Sequence, residues 1–325
     1  MASNRKNGAN KSLKDNWYPV ALSSALKTKP MGVKLLDTDI VLWRTSDGIA
    51  AFRDLCIHRG TRLSLGSCEK NELTCPYHGW RYDKDGQVVC IPSVPKDRAI
   101  SEQARIEKFH CMERYGLIYV CIGEPETPVY EIPELEQDDF TTHILGPVKW
   151  DIGAARSFEN FIDEAHLPWV HPGALGNADN IPLIPSRDVE EHEKGFYFEY
   201  HSECADRVNP GKMTLNLLTY DVVLPYSLYH ENVSPSGERV LDMFYCTPVS
   251  DNESVRFMLV GRNFKHDEPS ETFAKFTLSV WEQDRVIVES QRPEEVPYDI
   301  GAEIHIHGPD GPSLVYRRLL NEIGP

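Results

Sequence analysis

The amino-acid sequence predicts an α+β protein built in two parts, a small all-β module followed by a larger domain of mixed helices and strands. Three observations lead there. Residues 17–122 alternate short apolar runs with turn-forming residues, which suits strands rather than helices. Residues 123–140 (GEPETPVYEIPELEQDDF) are rich in proline and acid and lack an apolar period, so they read as a linker. Beyond them come one helix-like segment, a series of alternating strands and two further helix-like segments. With 325 residues, 41% hydrophobic and 26% charged, the chain has ordinary globular composition and length enough for a substantial core.

Residues 1–15 are polar, without the apolar run of a secretory signal, and are taken as a tail. In the all-β module, residues 16–122, strand-forming pieces flank Asp37–Asp39, and Ser46-Asp47-Gly48 makes a good hairpin turn. A second hairpin is expected at Asp85-Gly86, and Leu117–Ile122 reads as a closing strand. The larger domain, residues 141–325, opens with SFENFIDEAHLPWVH. Ser157 is expected to cap this helix, Phe158, Phe161, Ile162 and Ala165 to form its apolar stripe, and Pro168 to end or bend it. Strand candidates fill residues 195–263, a long helix spans about Thr272 to Gln291, and a shorter one Ser313 to Glu322. The sequence shows neither an internal repeat nor a low-complexity tract.

A formal net charge of -16 argues against broad nucleic-acid binding. No run of 18 apolar residues is present, so no membrane span is expected. Of eight cysteines, Cys68, Cys90, Cys111, Cys121, Cys204 and Cys246 read as reduced core or strand residues, and a cytoplasmic setting is expected. A strand-linked G-x-G-x-x-G and a Walker A pattern are both missing, so the chain is not expected to take hydride from NAD(P)H itself.

CIHRG supplies Cys56 and His58; CPYHGW, after residues 59–74, supplies Cys75 and His78. Thiolate and imidazole at these spacings suit a soft or borderline metal, and a structural zinc site is one reading. Two features favour iron. The first pair has one intervening residue, unlike a zinc knuckle, and each loop offers one thiolate and one imidazole. That set suits a [2Fe–2S] cluster with two cysteines on one iron and two histidines on the other. Gly60 and Gly79 are expected to let backbone amides approach sulfur, with Tyr77 and Trp80 as shielding.

A second constellation is D-x-x-H-x-x-x-x-H at Asp163, His166 and His171. On a helix, positions three apart share a face, and the break at Pro168 lets His171 turn back. Two histidines and one carboxylate make the facial triad that holds Fe(II) with open positions. Spacing leaves Asp163, Glu282, Asp284 and Glu289 all open as the acid.

CIHRG and CPYHGW resemble the two cluster-binding motifs of Rieske proteins. From Asn16 onward nearly the whole chain resembles the oxygenase component of Rieske non-heme iron ring-hydroxylating and demethylating oxygenases. The resemblance implies a Rieske [2Fe–2S] domain followed by a helix-grip (START-like) catalytic domain holding one mononuclear Fe(II). It assigns the iron to His166, His171 and Asp284, and makes Asp163 the acid that joins an iron ligand to His78 of a neighbouring subunit. Asn160 matches an asparagine close to the iron but usually too far to ligate it. Its position and the chain length lean toward the homotrimeric branch with phthalate-, dicamba- and vanillate-type oxygenases. ERYGLIYV, HPGALG, VIVESQRP and YRRLLNE are similar to methylxanthine N-demethylases and saxitoxin-pathway hydroxylases.

The activity implied is hydroxylation or oxidative N-/O-demethylation of a small aromatic or heterocyclic compound. O2 is the co-substrate, and electrons come from a separate reductase or ferredoxin. Cis-dihydroxylation is the alternative within the family, and a Rieske electron carrier with a binding domain the alternative outside it. Phe158, Phe161, Leu175, Tyr220 and Phe264 are pocket candidates, though each taken alone is better read as core. His201, His230, His266, His305 and His307 read as surface or core residues, the last two on one strand face.

Overall fold

The computed structural model describes residues 12–176, 178–179, 181, 183–205 and 212–323. Most of the expected tail, residues 1–11, lies outside them. The chain divides into two compact units at Val129/Tyr130, within the stretch expected to be a linker.

The first unit contains β1 (Tyr18–Leu22), β2 (Met31–Leu35), β3 (Thr38–Thr45), β4 (Gly48–Arg53), β5 (Ser67–Glu69), β6 (Glu72–Thr74), β7 (Arg81–Tyr82), β8 (Val88–Cys90), β9 (Lys108–Arg114) and β10 (Leu117–Cys121). Six of them form a sheet in the order β1-β10-β9-β4-β3-β2, and β5-β6-β7-β8 form a smaller one. The turn at Ser46-Asp47 closes β3 onto β4 with Thr45 opposite Gly48, whose φ of 136° favours glycine. Val41, Trp43, Phe52, Leu63, Leu73 and Tyr82 form a buried core that also takes in Cys56 and Cys75. The two thiols are therefore fixed by the packing of both sheets.

The second unit contains β11 (Thr141–Trp150), helix α1 (Ala154–Ile162), the short α2 (Leu167–Val170), β12 (Glu190–His192), β13 (Gly195–Ala205), β14 (Met213–Val223), β15 (Ser227–Val233), β16 (Arg239–Ser250), β17 (Glu253–Arg262), α3 (Ser270–Val288) and α4 (Gly311–Ile323). Its strands form one antiparallel sheet in the order β11-β17-β16-β15-β14-β13-β12. Phe244 of β16 stacks on Phe161 of α1 at 4.2 Å and meets Trp281 of α3 edge-on at 5.8 Å. The long helix lies over the sheet in the helix-grip manner expected.

Two local expectations are corrected. Helix α1 starts at Ala154, behind Gly153, so Ser157 caps nothing; it is buried within the helix and its Oγ accepts from Arg256 Nε at 2.9 Å. The helix also stops at Ile162, before Pro168, which instead sits in the first turn of α2, where its missing N–H costs nothing. His305 and His307 lie outside any strand.

A buried charge network anchors α1. Arg156 and Arg317 reach the two oxygens of Glu303 at 2.5 and 2.6 Å, and Arg317 holds Glu159 at 2.6 Å. Hydrogen bonds from Arg156, then Arg317, outweigh burial and hold the Glu303 carboxyl at about 2. A carboxyl depressed in the folded state stabilises fully above its unfolded pKa and loses that contribution as pH falls toward the folded value. Replacing Glu303 with Gln is expected to lower stability at pH 7 by about 2 kcal/mol, less than for a fully buried pair because Glu303 keeps some solvent. Denaturant midpoints should show the gap full at pH 7 and shrinking below about pH 4.4.

Candidate active site and metal centres

The two loops of the first unit share one hydrogen-bond pattern. Cys56 N–H donates to Thr61 O at 2.8 Å and Gly60 N–H to Cys56 O at 2.8 Å. In the other loop Cys75 N–H donates to Trp80 O at 2.8 Å and Gly79 N–H to Cys75 O at 3.1 Å. Gly60 and Gly79 have φ of 70° and 69°, so the left-handed turn is what requires glycine there. Their own amides bond cysteine carbonyls, and the approach of backbone amides to sulfur expected in these loops is made by other residues. Burial pushes the Cys75 thiol up, and the backbone amides that pull it down belong to Tyr77 and His78.

Cys56 and Cys75 lie within hydrogen-bonding reach of each other, and the Tyr82 hydroxyl is 3.1 Å from Cys56 Sγ. The rings of His58 and His78 are 4.6 Å apart, and Trp80 stacks on His58 at 4.6 Å with 5° between planes. Nδ1 of His58 is buried with no hydrogen-bond partner. A thiol pair beside an imidazole pair with an orphaned ring nitrogen fits a [2Fe–2S] cluster with mixed ligands. Tyr77, 63% exposed, lays its ring 3.8 Å from that of His78, and Trp80 covers His58 on the inner side.

In the second unit His166, His171 and Asp284 bring one ligand atom each within 4.8 Å of one another. Among the described residues no other group of three His, Cys, Asp or Glu does so. The break after α1 places Asp163 at its end, His166 just before α2 and His171 just after it. Asp163 and His166 therefore meet across a turn rather than along a helix face. His166 Nε2 and His171 Nε2 lie 3.4 and 2.9 Å from Asp284 Oδ1. His171 is fully buried, yet its Nε2 makes no aligned hydrogen bond despite that short distance. Ligand atoms facing a shared centre, rather than each other, have this geometry. Burial pulls His166 down, but hydrogen bonds to Asp163 and Asp284 outweigh it and hold the imidazole at about 9. The centre attracts positive charge, and two imidazoles with one carboxylate fit Fe(II).

The outer contacts are specific. Asp163 Oδ2 stands 3.4 Å from His166 Nδ1, while its Oδ1 accepts from Ala165 N–H at 2.7 Å. His171 Nδ1 lies 2.7 Å from Gln283 Oε1, which holds the imidazole with Nε2 toward the centre. Asn160 Nδ2 donates to Asp284 Oδ1 at 3.2 Å and sits 3.4 Å from His166 Nε2. The amide is oriented by Arg256, whose Nη2 donates to Asn160 Oδ1 at 3.1 Å while its guanidinium lies 3.2 Å from the Trp150 ring centroid. Tyr82, Arg256 and Gln283 were missed in the sequence. Arg256 leaves a signal there, an inward-facing charge in the apolar alternation of SVRFMLVGR; Gln283 leaves none.

The other candidates find other work. Glu282 pairs with Arg285 and Glu289 accepts from Asp151 N–H at 2.9 Å, which leaves Asp284 as the third member. His266 contacts Thr141, His305 the carbonyl of Ile300, and His307 Ser186; His201 is exposed. Phe158 is core, Leu175 is exposed, and Phe264 packs on Phe273. A cleft of about 410 Å³ reaches Asn160, Asp163, His166 and Asp284. A larger one, about 770 Å³, lies in the first unit around Arg44 and Asn71 and includes none of the metal-site residues.

Comparison with known proteins agrees with this geometry. Residues 16–111 match the family model of the Rieske [2Fe-2S] domain, and residues 150–324 that of the vanillate O-demethylase oxygenase C-terminal domain. The chain is 31% identical to methylxanthine N1-demethylase NdmA of Pseudomonas putida, covering 96% of this chain and 89% of that protein. It is also 31% identical to methylxanthine N3-demethylase NdmB of the same organism, over 87% and 83%. The structure of P. putida NdmA with caffeine superposes with a TM-score of 0.85 at 28% identity, covering 95% of this chain and 90% of that one. Dicamba monooxygenase bound to dicamba, at 21% identity, shares the fold with a TM-score of 0.81 over 96% and 98%.

Replacing Gln283 with Leu is expected to release the ring of His171 and weaken Fe(II) binding at the second centre by about 10- to 100-fold. Competition with a chelator measures this; unchanged Fe(II) affinity removes the positioning role.

Proposed function

The chain belongs to the Rieske non-heme iron oxygenases, and on that premise we propose that it hydroxylates or oxidatively demethylates a small methylated heterocycle or aromatic. One observation carries the reading: the triad His166–His171–Asp284 stands in the same chain as the paired Cys/His loops. As a member of the family it is a terminal oxygenase that uses O2 and relayed electrons. The demethylase names of NdmA and NdmB favour monooxygenation over cis-dihydroxylation. A pure electron carrier would have no use for the second centre.

Cys56 and Cys75 would hold one cluster iron and His58 and His78 the other, while His166 Nε2, His171 Nε2 and Asp284 Oδ1 would hold the mononuclear iron. When bound, the cluster supplies single electrons and the mononuclear iron the activation of dioxygen. The protein's part is to place groups. Gln283 fixes the His171 ring, and Asn160 donates to the Asp284 oxygen that faces the centre. Asp163 Oδ2 stands 3.4 Å from His166 Nδ1 and has carboxylate capacity left for a second imidazole. His78 is exposed on the first unit, as an imidazole delivered to a neighbour must be. We read the working assembly as a homotrimer in which His78 of one subunit meets Asp163 of the next. None of the eight cysteines is paired in a disulfide, which suits a cytoplasmic setting, and no described helix is long and apolar enough to cross a membrane.

The net reaction inserts one oxygen atom of O2 into a substrate C–H bond. Two electrons and two protons carry the other oxygen to water. When the carbon is an N- or O-methyl, the carbinol breaks its C–N or C–O bond and leaves as formaldehyde.

The purified holoenzyme should be red-brown, with about three irons per chain. His171→Ala should abolish substrate-dependent O2 uptake with the cluster spectrum intact; a colourless zinc protein would falsify the reading. Asp163→Ala should keep both metals and lose about 100-fold in coupled turnover. Normal coupled product formation in that variant removes the bridging role.

A further inference from the structure

We infer that Arg187 is a positioning residue for the mononuclear centre: through Glu164 it clamps the turn that carries His166 onto the sheet of the second unit. This rests on the reading of His166 as an iron ligand and specifies what holds that ligand in place.

The two histidines of the centre are held unequally. His171 is fully buried, and Gln283 Oε1 lies 2.7 Å from its Nδ1. His166 has no contact of that quality. Asp163 Oδ2, Asp284 Oδ1 and Asn160 Nδ2 each stand 3.4 Å from a nitrogen of its ring. Its Nδ1 is buried without an aligned hydrogen-bond partner, and the side chain keeps 16% of its surface. Contacts that long and poorly aligned are weak, so by themselves they orient the ring loosely. The position of His166 is therefore set by its backbone, in the stretch between α1 and α2.

Two restraints act on that stretch. Asp163 Oδ1 accepts from Ala165 N–H at 2.7 Å, which closes the turn on itself. Such a bond is local and leaves the turn free to shift as a body. The second restraint ties it to the rest of the unit. Arg187 forks onto the Glu164 carboxylate, with Nε 2.9 Å from Oε1 and Nη2 2.6 and 2.8 Å from Oε1 and Oε2. The two side chains are only 13% and 18% exposed, so solvent screens the pair little. A forked guanidinium–carboxylate pair fixes direction as well as distance. Arg187 Cζ also lies 4.0 Å from the centroid of the Tyr200 ring, whose face attracts the cation. Tyr200 belongs to β13, is 9% exposed and stacks on Tyr220 at 5.7 Å with 9° between planes. Glu164, Arg187 and Tyr200 thus connect the ligand-bearing turn to a ring packed in the sheet.

The segment behind Arg187 is braced as well. Ile184 precedes Pro185, which disfavours helical backbone and keeps the chain extended. Ser186 Oγ lies 3.0 Å from His307 Nε2. Gly308, at φ 104°, passes where a Cβ would come 3.0 Å from the Ile184 carbonyl. Arg187 therefore reaches Glu164 from a segment anchored outside the turn, and His307 belongs to that anchor.

The test is the Fe(II) affinity of the holoenzyme, measured anaerobically by competition with a chelator, with cluster absorption and the denaturant midpoint reporting the fold. Arg187→Gln and Glu164→Gln should each weaken Fe(II) binding at the second centre by roughly tenfold, and the double variant by no more than either alone, because the two act as one unit. Arg187→Lys keeps the charge without the fork and should recover part of the loss. Tyr200→Phe keeps the ring face and should bind Fe(II) normally. Arg318→Gln, which breaks exposed pairs with Glu191 and Glu322, is the control and should leave Fe(II) affinity unchanged. In the iron-free protein, hydrogen exchange at the Ala165 and Leu167 amides should be faster in Arg187→Gln than in the unaltered chain. Unchanged Fe(II) affinity in Arg187→Gln and Glu164→Gln, a lowered denaturant midpoint without loss of affinity, or additive losses in the double variant overturns the proposal. Failure of the iron-ligand reading looks different: His166→Ala would then bind Fe(II) as tightly as the unaltered chain.

Discussion

Asp284 is the carboxylate around which the second unit is organised. Its Oδ1 faces two imidazoles and one carboxamide, from α1, the turn after it and the far end of α2, while the acid itself rides on α3. A carboxylate buried to 5% exposure can keep its charge only if opposite charge and hydrogen-bond donors surround it. Burial pushes Asp284 up, and the two histidines with Arg256 bring it below its ordinary value. Each element that contributes to the centre is thereby fixed against the others.

The supporting structure follows from that requirement. Arg256 is a fully buried guanidinium with no carboxylate bonded to it; its compensation is the Trp150 face, the Ser157 hydroxyl and carbonyl, and the Asn160 amide. By holding the amide oxygen, it leaves the NH2 group aimed at Asp284. On the other side of α1, Glu159 and Arg156 join Arg317 and Glu303, so α4 restrains the same helix through ion pairs. Helix α1 is short, and packing and charge on both flanks hold the chain reversal that follows it.

The first unit solves a different problem. Its two cysteines belong to an apolar core, while His78 at the loop tip is exposed. Sulfur inside and imidazole outside is a suitable arrangement for a relay that must be shielded from water yet pass electrons at its surface. The repeated loop geometry, with a left-handed glycine after each Cys/His pair, shows how similar short segments build both halves of one centre.

Much of this was legible in the sequence because metal ligands are chemically restrictive and local. Two Cys/His loops, the D-x-x-H-x-x-x-x-H segment, the hairpin at Ser46-Asp47-Gly48 and the order of strands and helices can be read from residue type and spacing alone. Family resemblance, not spacing, singled out Asp284 among four acids, and the structure supplied the reason, since Glu282 and Glu289 are engaged elsewhere. Tertiary structure alone decided the rest. Ser157 looked like a cap because capping and interior serines share a local signature, and only packing against Arg256 separates them. The contacts of Gln283 and Arg256 depend on strand register and on how α3 lies over the sheet. Those are contacts between residues far apart in the chain, and hydrophobic periodicity does not encode them.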